Sequence, residues 1–187
     1  CLRGIDRADI RAGDTVAVIG GGAIGQMLAQ LARRQGAARL VVSDPIAARR
    51  EAALALGADA VVDPRHEDPL APGGALEGGA DVVLEAVGSR ITTQTALAWA
   101  APGATVLWFG VTPPGHTIPL EPNVVYAKEL TIRGARMNPF THARALALLG
   151  ARQVQVEPLI TRTIPLEALA EVLRNPPGED VKTVVTP

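Results

Sequence analysis

The chain has 187 residues, of which 48% are apolar and 20% are charged, and its 18 Lys and Arg residues nearly balance 19 Asp and Glu residues. This composition is typical of a globular chain with one sizeable core, and the length leaves no room for a complete two-domain enzyme. The net charge of −1 and the aromatic content of 3% argue against nucleic acid as a partner. No apolar run reaches the roughly 18 residues of a membrane span, and no signal peptide is evident, so we expect a cytoplasmic protein without membrane contact.

Short β-branched runs alternate with helical patterns along most of the chain, which predicts an α/β fold with a parallel sheet. The first run, TVAVIG at residues 15–20, is apolar throughout, as expected of a strand covered by helices on both faces. A helical pattern follows from Ala23 and ends at Gly36, a residue suited to a C-terminal cap. The further predicted strands cover residues 40–43, 60–63, 81–87, 105–111 and 130–135, and the further predicted helices cover residues 45–56, 91–100, 123–129 and 141–152.

Two stretches rich in Pro and Gly, residues 64–80 and 112–122, are predicted as loops. The first takes the place of the helix that usually connects two parallel strands. After residue 156 the pattern changes to an extended, Pro-punctuated run, a helix over residues 167–174 and a terminal strand. We therefore predict one domain over residues 1–156 and a distinct C-terminal segment over residues 157–187.

A G-x-G-x-x-G motif, formed by Gly20, Gly22 and Gly25, lies directly after the first predicted strand and opens the first long helix. In this context the glycines permit a tight turn, close approach of backbone to a pyrophosphate, and close packing of helix on strand. The helix start adds free N–H groups for the phosphates. A turn that holds no ligand is the alternative. It is less favoured, because ordering three glycines costs backbone entropy that a simple loop need not lose.

Asp44 ends the second predicted strand, about 20 residues beyond the glycine turn, where a carboxylate accepts the hydroxyls of an adenosine ribose. The alternative is that Asp44 caps the next helix, with Pro45 as its first helical residue. A carboxylate repels a 2′-phosphate, so NAD is favoured over NADP. Arg49 and Arg50 weaken that preference if they face the site, since a guanidinium accommodates the phosphate; otherwise they lie on a solvated helix face.

Two loops follow the fourth and fifth predicted strands, Ala86-Val87-Gly88 and Phe109-Gly110-Val111. Ligands of open α/β sheets bind at the carboxyl ends of the strands, so these loops are candidates for the nicotinamide half of a dinucleotide, or else ordinary connections. The single cysteine, Cys1, and the separated histidines provide no metal-ligand spacing. His66, His116 and His142 are therefore interpreted as surface or hydrogen-bonded residues, and no metal site is expected.

Several sequence blocks in order, among them AGDTVAVIGGGAIGQM, LVVSDP, DVVLEAVG and KELTIRGARMNPF, resemble the cofactor-binding part of medium-chain, zinc-type alcohol dehydrogenases, closest to the sorbitol and threonine dehydrogenase branch. The resemblance implies a doubly wound Rossmann-like sheet. It also implies that the pyrophosphate faces the glycine turn, Asp44 binds the ribose and Arg49 lies at the adenine edge. The residues assigned to the turn are Gly20, Gly22, Ala23, Ile24 and Gly25, and those assigned to the nicotinamide ribose and ring are Val87, Gly110, Val111 and Met137.

The resemblance further implies a parent oxidoreductase that transfers hydride between a secondary alcohol or polyol and NAD, with zinc acting as a Lewis acid. In such enzymes the zinc belongs to a separate domain that is missing from this sequence, and the C-terminal segment folds back onto it. We therefore expect no catalytic residue and no zinc in this chain, which alone would be inactive, and we expect a homo-oligomer. The alternative is a stand-alone NAD-binding or redox-sensing module.

Overall fold

The computed structural model describes residues 1–175, 178 and 180–187. In these residues the helices α1 to α7 are Leu2–Ala8, Ala23–Gln35, Ala47–Ala55, Arg90–Trp99, Pro122–Ala127, His142–Gly150 and Leu169–Arg174. The strands β1 to β8 are Thr15–Ile19, Arg39–Ser43, Ala60–Val62, Ala80–Glu85, Ala100–Trp108, Thr131–Gly134, Ile160–Pro165 and Lys182–Thr186. None of these helices combines the length and the apolar character that a membrane span requires.

Six of the strands form one parallel sheet in the order β3-β2-β1-β4-β5-β6. This is the doubly wound order of dinucleotide-binding folds, and it confirms the predicted Rossmann-like α/β class. The chain leaves β1 toward one edge and returns to place β4 on the other side of β1. Ligands bind at such a switch point, outside the carboxyl ends of the strands, so the fold directs attention to the loops after β1 and β4.

The sheet is buried on both faces because successive side chains of its central strands alternate between two apolar layers. Val16 and Val18 of β1 face a cluster that includes Leu28 of α2. Ala17 and Ile19 of the same strand face a second cluster on the opposite side of the sheet. An uninterrupted apolar strand such as TVAVI is therefore the expected sequence at the centre of this sheet.

Several predicted boundaries differ from the structure by one or more residues, and two of the differences have a local cause. The fourth strand ends at Glu85 instead of residue 87, because the Glu85 carboxylate folds back onto the next backbone amides. The fifth strand is shifted to Ala100–Trp108, because Ala100 pairs with Ala80 across an irregularity in the register. The third helix begins at Ala47, so Pro45 is not its first residue.

The amino-terminal helix α1 was not among the predicted elements. Its charged sequence, LRGIDRA, hides a small apolar face on which Gly4, Ile5 and Ala8 are buried. Gly4 allows the aromatic ring of Phe109 to approach, since a Cβ atom at Gly4 would lie 2.7 Å from that ring. The absence of a side chain therefore lets α1 pack on the sheet.

The connection between β3 and β4 is a series of turns without a helix, as predicted for residues 64–80. Leu76 anchors this connection, because its side chain is buried and its backbone amide donates a hydrogen bond of 2.7 Å to the Pro69 oxygen. Beyond residue 156, β7 and β8 form a separate two-stranded parallel sheet. The division of the chain at Glu157 into a domain and a segment stays a prediction.

Candidate functional site

The glycine turn after β1 requires two of its glycines for steric reasons. Gly20 has a φ of 102°, and a Cβ atom there would lie 2.7 Å from Cγ2 of Val87. A Cβ atom at Gly25 would lie only 1.7 Å from the Gly20 carbonyl oxygen. Gly20 is thus the tight turn and Gly25 the position of close contact between turn and helix.

The middle glycine, Gly22, is different because nothing in the folded chain demands it. It stands at the N-cap of α2 with an ordinary extended backbone, and a Cβ atom there would meet no other atom within 4 Å. Ala23 and Ile24 follow in the first helical turn, whose N–H groups have no partner within a helix. The space in front of Gly22 is therefore open, and it faces a helix N-terminus that attracts an anion.

Asp44, at the end of β2, is joined to the glycine turn by hydrogen bonds. Its Oδ2 accepts from the Gly21 amide at 2.8 Å, and its Oδ1 accepts from the Ile46 amide at 2.8 Å. The residue is 3% exposed. It does not cap α3, whose N-cap is Ile46. A carboxylate offers about four acceptor positions, so after these two bonds it retains capacity for ligand hydroxyls.

Arg49 and Arg50, on the first turn of α3, are mostly buried and do not lie on a solvated helix face. Nη1 of Arg49 is 3.7 Å from Oδ2 of Asp44, and its side chain is 25% exposed. Arg50 points to the other side of Asp44, donating to the Asp44 backbone oxygen at 2.8 Å and lying 3.1 Å from Oδ2 of Asp63. Of these two arginines, Arg49 is therefore the one that approaches the Asp44 carboxylate.

Two further charged residues lie at this edge of the sheet, and they were not identified as site residues from the sequence. Asp63 follows β3, and Arg65 binds its carboxylate through Nε at 2.9 Å and Nη2 at 2.7 Å. The hydrogen bond from Arg65 holds the pKa of Asp63 well below its usual range, and Arg50 contributes in the same direction. An Asp at the end of the third predicted strand was the available signal, because parallel strands end at the same edge as Asp44.

Gly20, Asp44, Arg49 and Arg65 border one groove of about 760 Å³ at the carboxyl ends of the parallel strands. Its walls include Gly20 and Asp44 on one side, Arg49 and Arg65 at the charged end, and Val87 from the loop after β4. The structure thus brings Val87 next to the glycine turn and into the same groove as Asp44. The groove is the concave, partly apolar kind of surface that holds small ligands.

The loops after β4 and β5 touch each other through glycines. A Cβ atom at Gly88 would lie 2.6 Å from the Val111 backbone nitrogen, and one at Gly110 would lie 2.1 Å from the Gly88 nitrogen. Val111 is 87% exposed at this junction. Met137 lies on the loop after β6, where it is 75% exposed.

The histidines lie apart in the chain. His142 is 3.1 Å from the Asn138 amide nitrogen, and the His66 backbone amide donates to the Asp63 oxygen. Within residues 1–175, 178 and 180–187, no three His, Cys, Asp or Glu side chains gather in a way that could hold a metal ion.

Comparison with known proteins identifies the relatives of this chain. The sequence model of the zinc-binding dehydrogenase family matches residues 23–150. Sorbitol dehydrogenase from Gallus gallus is 30% identical over 184 residues, covering 96% of this chain and 51% of the relative. L-threonine 3-dehydrogenase from Bacillus licheniformis is 33% identical over 184 residues, covering 94% of this chain and 52% of the relative. The chain thus spans about half the length of these curated relatives.

Solved structures agree with these sequences. A zinc-binding dehydrogenase from Sinorhizobium meliloti 1021, bound to NADP, is 38% identical and superimposes with a TM-score of 0.96 over 100% of this chain and 56% of its own. An alcohol dehydrogenase from Thermus sp. ATN1 is 31% identical, with a TM-score of 0.86 over 99% of this chain and 55% of its own. The resemblance read from the sequence blocks is therefore confirmed, and the chain belongs to the zinc-binding dehydrogenase family.

Proposed function

We propose that this chain binds NAD(H) as the cofactor-binding part of a dehydrogenase that transfers hydride between a secondary alcohol or polyol and NAD. The observation that carries the proposal is the hydrogen bond between the Asp44 carboxylate and the Gly21 amide. It joins the acidic residue and the glycine turn into one unit at the switch point of the sheet. The open space at Gly22 leaves room beside this unit for a pyrophosphate.

The pyrophosphate would rest against the backbone of Gly20, Gly22, Ala23 and Ile24, where the first amides of α2 serve as donors. Gly25 contributes by letting α2 begin directly behind the turn. In this arrangement the phosphates need no basic side chain, because the helix N-terminus supplies the positive end of a dipole.

Asp44 would accept the hydroxyls of the adenosine ribose, and Arg49 would form the wall at the adenine edge of the groove. The residues proposed for the nicotinamide ribose and ring are Val87, Gly110, Val111 and Met137. When bound, the nicotinamide supplies the hydride chemistry, and the chain's own contribution is to bind and orient the cofactor.

We propose NAD as the preferred cofactor because Asp44 places a negative charge where NADP carries its 2′-phosphate. The guanidinium groups of Arg49, Arg50 and Arg65 each already bind oxygen atoms of the protein. A 2′-phosphate would have to break such bonds to recruit them. NADP in the Sinorhizobium relative supports a nicotinamide dinucleotide in this fold and makes the choice between the two cofactors worth measuring.

We assign no catalytic residue and no zinc to this chain. Zinc and the alcohol are proposed to bind in the half of the longer relatives that this chain does not cover. We also propose a homo-oligomer, since β6 lies at the outer position of the sheet and an edge strand offers unpaired backbone groups to a second copy.

Titration of the chain with NADH and with NADPH tests the proposal, following energy transfer from Trp99, which lines the groove, to the bound nicotinamide. We expect saturable NADH binding that is clearly tighter than NADPH binding at physiological salt. Equal affinity for the two cofactors would contradict the role of Asp44. No binding of either cofactor would contradict the proposal as a whole.

Replacing Asp44 by Asn gives the matched variant. Loss of a charge-assisted hydrogen bond should weaken NADH binding by about 1–3 kcal/mol and narrow the gap to NADPH. Asp81→Asn is the control, because Asp81 also accepts a backbone amide, that of Thr15 at 2.7 Å, but at the opposite end of the sheet.

A further inference from the structure

A buried carboxylate, that of Glu85, ends β4 at the switch point of the sheet. The residue has no exposed surface, whereas the positions before it, Val82 to Leu84, are apolar as the core demands. Burying a charge is costly unless hydrogen bonds compensate it. An acidic residue at this position therefore has a specific task, and its contacts indicate which.

The side chain of Glu85 organises the loop that follows its own strand. Its Oε1 accepts the backbone amides of Val87 at 2.9 Å and of Gly88 at 2.8 Å. These two bonds turn the chain sharply after β4. They also set the direction of Val87, whose side chain lies against Gly20 of the glycine turn.

The backbone of Glu85 organises the neighbouring loop as well. Its carbonyl oxygen accepts the amides of Phe109 and Gly110, both at 2.9 Å, and so ends β5. One residue thus holds the first amides of two loops that come from different parts of the sequence. Val111 follows directly on the second loop.

The second carboxylate oxygen, Oε2, is buried and has no hydrogen-bond partner among the described residues. A Cβ atom at Gly110 would lie 2.7 Å from it and 2.1 Å from the Gly88 nitrogen. The two loops therefore meet backbone to backbone, directly against the carboxylate. Any side chain at Gly110 would separate them.

We propose that Glu85 is a positioning residue for the cofactor, which holds the loop after β4 against the loop after β5 and so fixes Val87 and Val111. The inference rests on the proposed binding of NAD(H) in the adjoining groove. Without the carboxylate, the amides of Val87 and Gly88 lose their acceptor, and the loop after β4 is no longer held against the loop after β5. The glycine turn and Asp44, which belong to other strands, keep their geometry.

This division predicts which half of the cofactor loses binding contacts when Glu85 is replaced. Val87, Gly110 and Val111, on the two loops that Glu85 contacts, are among the residues proposed for the nicotinamide half, whereas Asp44 and the glycine turn serve the adenosine and pyrophosphate half. Replacing Glu85 should therefore weaken the binding of NADH far more than the binding of ADP-ribose, which lacks the nicotinamide. A residue that served only stability would affect the two ligands alike.

Calorimetric titration of the whole chain with NADH and with ADP-ribose tests this, using Glu85→Ala, Glu85→Gln and the control Asp81→Asn. We expect Glu85→Ala to weaken NADH by about tenfold or more and ADP-ribose by less than about threefold. Glu85→Gln should recover most of the loss, because it retains the oxygen that accepts both amides. Asp81→Asn should leave both affinities unchanged.

Gly110→Ala is the second variant if Glu85→Ala does not fold, as judged by circular dichroism. It keeps the carboxylate but forces the loops apart, and we expect the same selective loss of NADH. Unchanged NADH affinity in folded variants, or equal weakening of both ligands, would overturn the role of Glu85. Failure of the native chain to bind either ligand would instead overturn the proposed function, and the inference with it.

Discussion

Nη2 of Arg49 donates a hydrogen bond to the backbone oxygen of Asp180 at 2.8 Å, which ties the groove to the segment after residue 156. The same Asp180 binds Arg162 of β7 through its carboxylate at 3.0 Å. Arg49 is thus shared between the proposed adenine edge and the small second sheet. A substitution in the groove at Arg49 should therefore affect the second sheet, and a change in that sheet should affect Arg49.

Replacing Arg49 by Ala should both loosen the second sheet and weaken NADH binding, because the same guanidinium contacts Asp180 and borders the groove. We expect faster amide hydrogen exchange in β8 and a loss of NADH affinity of about 1 kcal/mol or more. Arg34→Ala, an exposed position on α2, is the control. Unaltered exchange in β8 would show that the contact does not hold the segment.

The glycine turn offers a pair of substitutions with opposite signatures. Gly25→Ala places a Cβ atom on the Gly20 carbonyl, so it should lower the free energy of unfolding by about 3 kcal/mol, as in overpacked cores, and abolish NADH binding. Gly22→Ala meets no atom of the chain, so stability should stay nearly unchanged while NADH binding falls. Thermal unfolding and titration of both variants check this. Undiminished NADH affinity in Gly22→Ala would refute the placement of the pyrophosphate.

The Asp63–Arg65 pair predicts a dependence of stability on pH. The folded-state pKa of Asp63 lies below its ordinary value of 3.8, chiefly because Arg65 hydrogen-bonds the charged form. The stabilisation is therefore complete above that ordinary pKa and is lost as the pH falls below it. Arg65→Ala should make the acid loss of stability shallower between about pH 4 and pH 2, measured by denaturant unfolding. Arg11→Ala, which removes an exposed pair with Asp9, should not alter the acid dependence.

Self-association is expected through β6 and the loop of residues 112–122. Introducing a charge at the exposed Leu120 of that loop, as Leu120→Glu, should shift the chain toward monomer. Leu54→Glu is the matched control, because Leu54 is a similarly exposed leucine on α3. Sedimentation velocity at high micromolar concentration measures the result, and a native chain that sediments as a monomer would refute the prediction.

Dialysed protein should contain no stoichiometric zinc, and added zinc should produce no turnover of secondary alcohols with NAD. Catalytic zinc requires about three protein ligands that converge on one point. His66, His116 and His142 follow different strands, and Cys1 precedes α1. Elemental analysis and an NADH absorbance assay decide the matter. Bound zinc together with alcohol oxidation would contradict the assignment of this chain to cofactor binding alone.

The sequence predicted the elements that depend on local pattern. Strand periodicity predicted apolar runs such as TVAVI and the acidic residue after β2. Steric needs within a few residues predicted the spacing of Gly20 and Gly25. Boundaries were less predictable where a side chain intervened. Glu85 ended β4 early by capturing the amides that follow it, and no periodicity contains that information.

Amino-acid sequence by itself determined the fold class, the strand that bears the glycine turn and the place of Asp44 beyond it, because these rest on hydrophobic period and on short-range backbone geometry. Only the tertiary structure decided which polar groups meet. The bond from Gly21 to Asp44, the turning of Arg50 toward Asp63, and the anchoring of two loops by Glu85 each join residues from different strands. Such contacts depend on strand order and parallel register, which bring distant carboxyl ends to one edge of the sheet and cannot be read from neighbours in the chain.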